Sequence, residues 1–160
     1  MKKITLYTDG ACRGNPGNGG YGSILEYVDA GGQLHRRELS AGYRQTTNNR
    51  MELLAVIKGL EELKTGCEVT VFSDSKYIVD AFGQGWVAAW QKNNWIRGKN
   101  EEVKNQDLWK RLLQLMQEHK VEYRWVRGHN GHPQNERCDQ LATAAADSGN
   151  LLADERGQVN

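Results

Sequence analysis

Apolar and polar positions alternate at the start of the chain. Ile4, Leu6 and Thr8 are interleaved with Thr5, Tyr7 and Asp9, a period of two that predicts a first strand. Residues 22–28 (GSILEYV) predict a second strand, Asp29-Ala30-Gly31-Gly32 a turn, and residues 33–43 a third strand, so the opening reads as an antiparallel meander. The period then lengthens. Met51, Leu54, Ile57 and Leu60, flanked by Leu53 and Leu63, recur at helical spacing behind Thr47 as N-cap, and Gly66 ends that helix. A short strand follows over 68–73 and a helix over 75–82. Residues 83–100 are irregular and rich in aromatics. A helix over 107–119 carries Leu108, Leu112 and Leu115, and a strand spans 121–126. The last helix runs from Pro133, well suited to a first helical position, to about residue 147. The order βββ-α-β-α-α-β-α implies right-handed parallel crossovers, and hence an α/β fold with a mixed sheet flanked by helices.

Composition narrows the class. The chain has 160 residues, enough for one domain with a core of its own, here expected over 1–149. The tail over 150–160 has little to bury and is expected to be disordered. Its 21 Lys and Arg against 20 Asp and Glu leave a net charge of +1, which excludes a bulk polycation but not a local basic patch. No apolar run is long enough to span a membrane, and the start, MKKITLYTDG, lacks the apolar stretch of a secretory signal. Cys12, Cys67 and Cys138 are odd in number and widely spaced, as expected of reduced thiols in the cytoplasm.

Gly17-x-Gly19-x-x-Gly22 matches the dinucleotide-binding pattern in form. That pattern needs a helix directly behind it, and here the strand-like SILEYV follows. The carboxylates are more informative. Asp9 lies on the first strand and Asp74 at the end of EVTVFSD, so two acids meet if those strands are parallel neighbours. Glu52 lies among the apolar residues of the first helix and Asp139 on the last one. Any one alone reads as a cap or a solvated charge. Four together would repel unless cations lay between them, and an oxygen-only donor set selects hard ions such as Mg²⁺ or Mn²⁺. Two such ions are the arrangement used for in-line phosphoryl displacement.

Four blocks, in order, carry a resemblance: YTDGACRGNPGNGGYG (7–22), TTNNRMEL (46–53), FSDSKY (72–77) and WVRGHNGHPQNERCDQLA (125–142). Together they closely resemble the bacterial type 1 ribonuclease H family, over roughly residues 3–147. The resemblance implies a five-stranded mixed sheet, three antiparallel strands plus parallel ones, flanked by helices. It implies a monomeric endonuclease hydrolysing the RNA strand of RNA–DNA hybrids with two Mg²⁺ ions, leaving 5′-phosphate and 3′-hydroxyl ends. The metal carboxylates carry over to Asp9, Glu52, Asp74 and Asp139, with Asp9 the most buried and central, and the catalytic histidine to His129. A zinc site of His129, His132 and Cys138 is the rival reading, but it supplies three ligands in an awkward order.

Substrate contacts carry over to Asn15, Thr47, Asn48 and Asn105, with backbone near Cys12 placed to reach the RNA 2′-hydroxyl. Trp86, Trp90 and Trp95, with Lys92, Arg97 and Lys99, match a basic protrusion, although Trp86 and Trp90 also read as one helix face packed on the core. Two departures stand out: Glu101 and Glu102 directly follow that protrusion, and Lys76 stands where many relatives carry Gln. A non-catalytic hybrid-binding module and a DNA-integrating enzyme are the competing classes. All four carboxylates in their motifs argue against the first, and 160 residues against the second.

Overall fold

The computed structural model describes residues 1–127 and 132–155. Three long strands open it: β1 (Lys2–Arg13), β2 (Gly17–Val28) and β3 (Leu34–Thr46), paired antiparallel, with Asp9 opposite Gly22 and Val28 opposite Leu34. Helix α1 (Asn48–Glu61) follows, and Thr47 caps it by accepting from the Arg50 N–H at 3.3 Å. Next come β4 (Cys67–Ser73), α2 (Lys76–Gly83), α3 (Trp86–Lys92), the two-residue strands β5 (Ile96–Arg97) and β6 (Glu101–Glu102), and α4 (Gln106–Glu118). The chain closes with β7 (Lys120–Trp125), α5 (Pro133–Ala146) and β8 (Leu151–Ala153). The main sheet runs β7-β4-β1-β2-β3-β8, with β4 parallel to β1 and to β7.

The sheet therefore has six strands rather than five. The extra one is β8, parallel to β3 through Gly42 opposite Leu151 and Arg44 opposite Ala153. The tail expected to be loose thus begins with a paired strand, because the edge of β3 still had backbone groups to satisfy. Residues 156–160 lie outside the described residues. The stretch over 83–100, expected to be irregular, holds α3 and the start of the β5–β6 ribbon.

Two helices hold the sheet in place. Met51, Leu53, Leu54, Ala55, Val56, Ile57 and Leu60 of α1 are all buried, so this helix is covered around nearly its whole circumference. At full burial each large side chain contributes roughly 1.5–3 kcal/mol of transfer free energy, so α1 is the centre of the core. Helix α5 lies on β1, β2 and β3. It sits so close that a β-carbon at Gly22 would collide with the Cys138 carbonyl, and one at Gly42 with that of Ala145. Gly22, the last glycine of the stretch that imitated a dinucleotide motif, is a seat for a helix backbone, while Gly17 packs on the Arg13 carbonyl of its own connection.

Candidate active site

The parallel ladder between β1 and β4 ends at Tyr7 opposite Phe72, and the two strands separate just before Asp9 and Asp74. Asn135 of α5, fully buried, fills the split: its amide donates to the carbonyls of Thr8 (3.4 Å) and Phe72 (3.3 Å). Asp9 shares the sheet face of its partner Gly22, the face under α5, where Asp139 projects from the same helix. Glu52 arrives from α1 on the opposite face. It can do so because residue 10 is glycine: a β-carbon there would stand 2.5 Å from the Glu52 nitrogen. The Gly10 N–H donates to Glu52 Oε1 at 2.5 Å and to Asp9 Oδ1 at 2.9 Å. One backbone amide thereby aligns two carboxylates.

Carboxylate oxygens of Asp9, Glu52 and Asp74 all lie within 4.8 Å of one another. Asp139, half-buried, is outside that triple but lines the same cleft of about 380 Å³, together with Asn48, Lys76 and Tyr77. Asp9 and Glu52 are each 4% exposed, so the expectation that Asp9 is the most buried acid is corrected: Glu52 is as deep. Burial, then the neighbouring Asp74 charge, pushes the Asp9 carboxyl well above its ordinary value, to about 7. Burial, then Asp9, pushes Glu52 up as well. Glu52 Oε2 is buried with no hydrogen-bond partner. An oxygen-only cluster that resists ionisation, with a buried acceptor left over, fits a divalent cation.

In the metal-free fold the Asp9 carboxyl holds a proton that the unfolded chain has already released, so its contribution to stability is greatest in acid and is lost as pH rises through about 7, and Glu52 acts in the same direction. Melting curves of the metal-free protein between about pH 5 and pH 8 should therefore show a loss that millimolar Mg²⁺ reverses at the alkaline end. A loss that Mg²⁺ leaves untouched would assign it elsewhere.

The remaining candidates fall around this cleft. Asn15 Oδ1 accepts from the Asn48 N–H at 3.1 Å, joining the β1–β2 connection to the start of α1. Asn15, Thr47 and Asn105 line a second cavity, of about 590 Å³. Cys12 gives its thiol to the carbonyls of Gly17 and Thr46. Lys76 lies over the exposed Trp125 ring, 4.7 Å from its centre, while the Trp125 indole donates to the Asp74 carbonyl at 3.3 Å. Trp90 packs edge-on against Trp109 with ring centres 5.5 Å apart, as a core residue does, yet also lines a small hollow with Tyr77 and Asn105. Trp86 is 38% exposed and Lys92 lies on a separate shallow hollow of α3. His129 lies outside the described residues. Among those described, His132 and Cys138 form no ligand cluster, and the Cys138 thiol donates to the Tyr7 carbonyl. Arg50, Tyr77, Asp107, Trp125, Asn135 and Asp154 are not singled out by the sequence alone. Arg50, Tyr77, Trp125 and Asn135 stand inside the motif blocks, where their polar or aromatic character was the available signal.

Residues 1–147 match the RNase H family. Ribonuclease H of Lachnoclostridium phytofermentans is 62% identical over 153 residues, covering 95% of this chain and 97% of the relative. Among solved structures, LC9-RNase H1, a type 1 RNase H, superposes with a TM-score of 0.82 at 38% identity, over 91% of this chain and 72% of that one. LC11-RNase H1, solved in complex with RNA/DNA hybrid, superposes with a TM-score of 0.66 at 29% identity, over 90% of this chain and 96% of that one. No helix among the described residues is long and apolar enough to cross a membrane.

Proposed function

The chain belongs to the RNase H family, as a bacterial type 1 member, and from that premise we propose that it hydrolyses the RNA strand of RNA–DNA hybrids. The convergence of Asp9, Glu52 and Asp74 at the split between β1 and β4 carries this reading. Asp9, Glu52, Asp74 and Asp139 are assigned as the metal-holding set. Mg²⁺, with Mn²⁺ as a substitute, suits their hard oxygen donors, and two ions per site with substrate bound match the two-metal pattern. When bound, the ions acidify water and neutralise charge on the scissile phosphate.

The chain's own residues do the rest. The Gly10 N–H orients Asp9 and Glu52. Lys76, held over Trp125 on the cleft wall, offers a cation to a substrate phosphate. Asn15, Thr47, Asn48 and Asn105 grip the hybrid through backbone phosphates and 2′-hydroxyls, which is how RNA is told from DNA. Cys12 contributes through its backbone, since its thiol is occupied. Trp86, Trp90 and Lys92 extend the grip along the other strand. His129 takes the proton-transfer or product-release role that its motif implies. Water attacks in line, giving 5′-phosphate and 3′-hydroxyl ends. We assign the enzyme to the cytoplasm as a monomer.

Labelled hybrid, duplex DNA and duplex RNA incubated with and without Mg²⁺ test this reading. Only the hybrid with Mg²⁺ should be cut, and only in its RNA strand. Cleavage of duplex DNA at a comparable rate would favour a DNA nuclease. Binding without turnover would favour a passive hybrid-binding module.

A further inference from the structure

The most elaborate polar network in the described residues lies outside the carboxylate cleft. The Arg50 side chain of α1 is 2% exposed, yet carries a full charge into the core. Its five N–H donors are all spent. Nε and Nη2 donate to Asp154 (2.7 and 3.1 Å), Nη1 and Nη2 donate to Asp107 (2.9 and 2.8 Å), and Nη1 also donates to Asn105 Oδ1 at 3.3 Å. Asp154, 7% exposed, directly follows β8 and also accepts from the Thr46 hydroxyl at 2.8 Å.

The network does not stop at Arg50. Asn105 has a left-handed backbone (φ 62°), and its amide nitrogen donates to the Tyr77 hydroxyl at 3.2 Å. That hydroxyl also accepts from the Trp109 indole at 2.9 Å, and Tyr77 lines the carboxylate cleft. The Asn105 amide is therefore held at both ends, its oxygen by Arg50 and its nitrogen by Tyr77. Its orientation in the wall of the cavity shared with Asn15 and Thr47 is set from behind. Buried ion pairs are poor sources of net stability, since apolar residues of similar volume often serve as well. A buried guanidinium with every donor used is, by contrast, a rigid way to fix a neighbouring amide.

We infer that Asp154, directly after the strand β8, is a positioning residue for hybrid binding: it locks Arg50, which in turn presents Asn105 to the substrate. The inference rests on the hybrid-cleaving reading above. The C-terminal strand is on this view part of the substrate-binding machinery, although it touches no substrate.

The test is steady-state cleavage of a hybrid by Asp154→Ala, Asp154→Asn, Asn105→Ala and the Asp154→Ala/Asn105→Ala pair, well below the melting temperature of each. Asp154→Ala should raise KM about tenfold and change kcat less than about twofold. Asp154→Asn keeps an acceptor for Nε and should recover most of that rise. The double variant should be no worse than the weaker-binding single variant, because both changes cut one chain. Multiplying KM effects, or an unchanged KM in folded Asp154→Ala, would overturn the inference and leave Asp154 a stability residue. Should Asp154→Ala fail to fold, Asp154→Ser, whose short hydroxyl cannot bridge Nε and Nη2 of Arg50, decides through the side-chain amide signals of Asn105 in NMR spectra. A shift of those signals supports the coupling, and unchanged signals refute it. Wild-type protein that neither binds nor cuts hybrid would instead defeat the functional reading itself.

Discussion

Asp9→Asn is expected to cut cleavage of the hybrid by at least about 10³-fold, leave hybrid binding largely intact, and raise the melting temperature of the metal-free protein. The first effect follows from the proposed metal role: losing a ligand there would remove several kcal/mol of charge stabilisation, and each 1.36 kcal/mol is tenfold in rate. The second follows from the division of labour, since Asn15, Thr47 and Asn105 line a cavity separate from the carboxylates. The third follows from burial. The Asp9 carboxyl is pushed from 3.8 to about 7 by desolvation and by Asp74, so at neutral pH its charge works against the fold. At about 1.4 kcal/mol per pKa unit the ceiling is about 4 kcal/mol, and relief shared with Glu52 brings the expected gain to about 1–3 kcal/mol. Asparagine keeps an oxygen for the Gly10 N–H, so the local backbone has no reason to move. A less stable metal-free variant, or one cleaving near the wild-type rate, would remove Asp9 from its assigned role.

Gly10→Ala is expected to damage the fold and the carboxylate cleft together. The added carbon would lie 2.5 Å from the Glu52 nitrogen, 2.7 Å from the Met51 carbonyl carbon and 3.0 Å from the Glu52 Cα. All three are backbone atoms of α1, so no side chain can swing aside, and the helix must retreat from β1. Overpacking of this kind costs about 1–3 kcal/mol. The retreat also withdraws Glu52 from Asp9, and a displacement of about 1 Å at a reacting centre costs on the order of 10²-fold in rate. Gly31→Ala in the β2–β3 turn is the matched control: its carbon meets only Asp29 Oδ1, at 3.4 Å. Melting temperature, kcat and Mg²⁺ half-saturation should all worsen for Gly10→Ala and stay near wild type for Gly31→Ala. Equal behaviour of the two variants would contradict the close β1–α1 seam.

Much of this architecture is legible in the chain. The alternation around Ile4, Leu6 and Thr8 marks β1, and the helical spacing of Met51, Leu54, Ile57 and Leu60 marks the most apolar stripe of α1, although that helix is buried nearly all round. Parallel pairing of β1 with β4 follows from the strand–helix–strand order, and it brings Asp9 to Asp74. Glu52 is harder. Nothing in the period of α1 shows that it crosses above the end of β1, and the resemblance of TTNNRMEL supplied its role. The separation of Asp139 from the tight triple depends on how far α5 overhangs the sheet, which its sequence does not encode locally. Least legible is Asp154. Leu151, Leu152 and Ala153 look like a weak apolar remnant, and their strand exists only because β3 offers an edge and Arg50 a buried charge more than 100 residues earlier.

The seating of metal among the carboxylates is tested most directly by anomalous diffraction from crystals of the intact protein soaked in Mn²⁺, at a concentration that supports cleavage. The strongest anomalous peak should stand between the carboxylates of Asp9, Glu52 and Asp74, with metal–oxygen distances near 2.1 Å. Ions bound only elsewhere, with that cleft empty under conditions where the hybrid is cut, would contradict a metal site built by the split between β1 and β4.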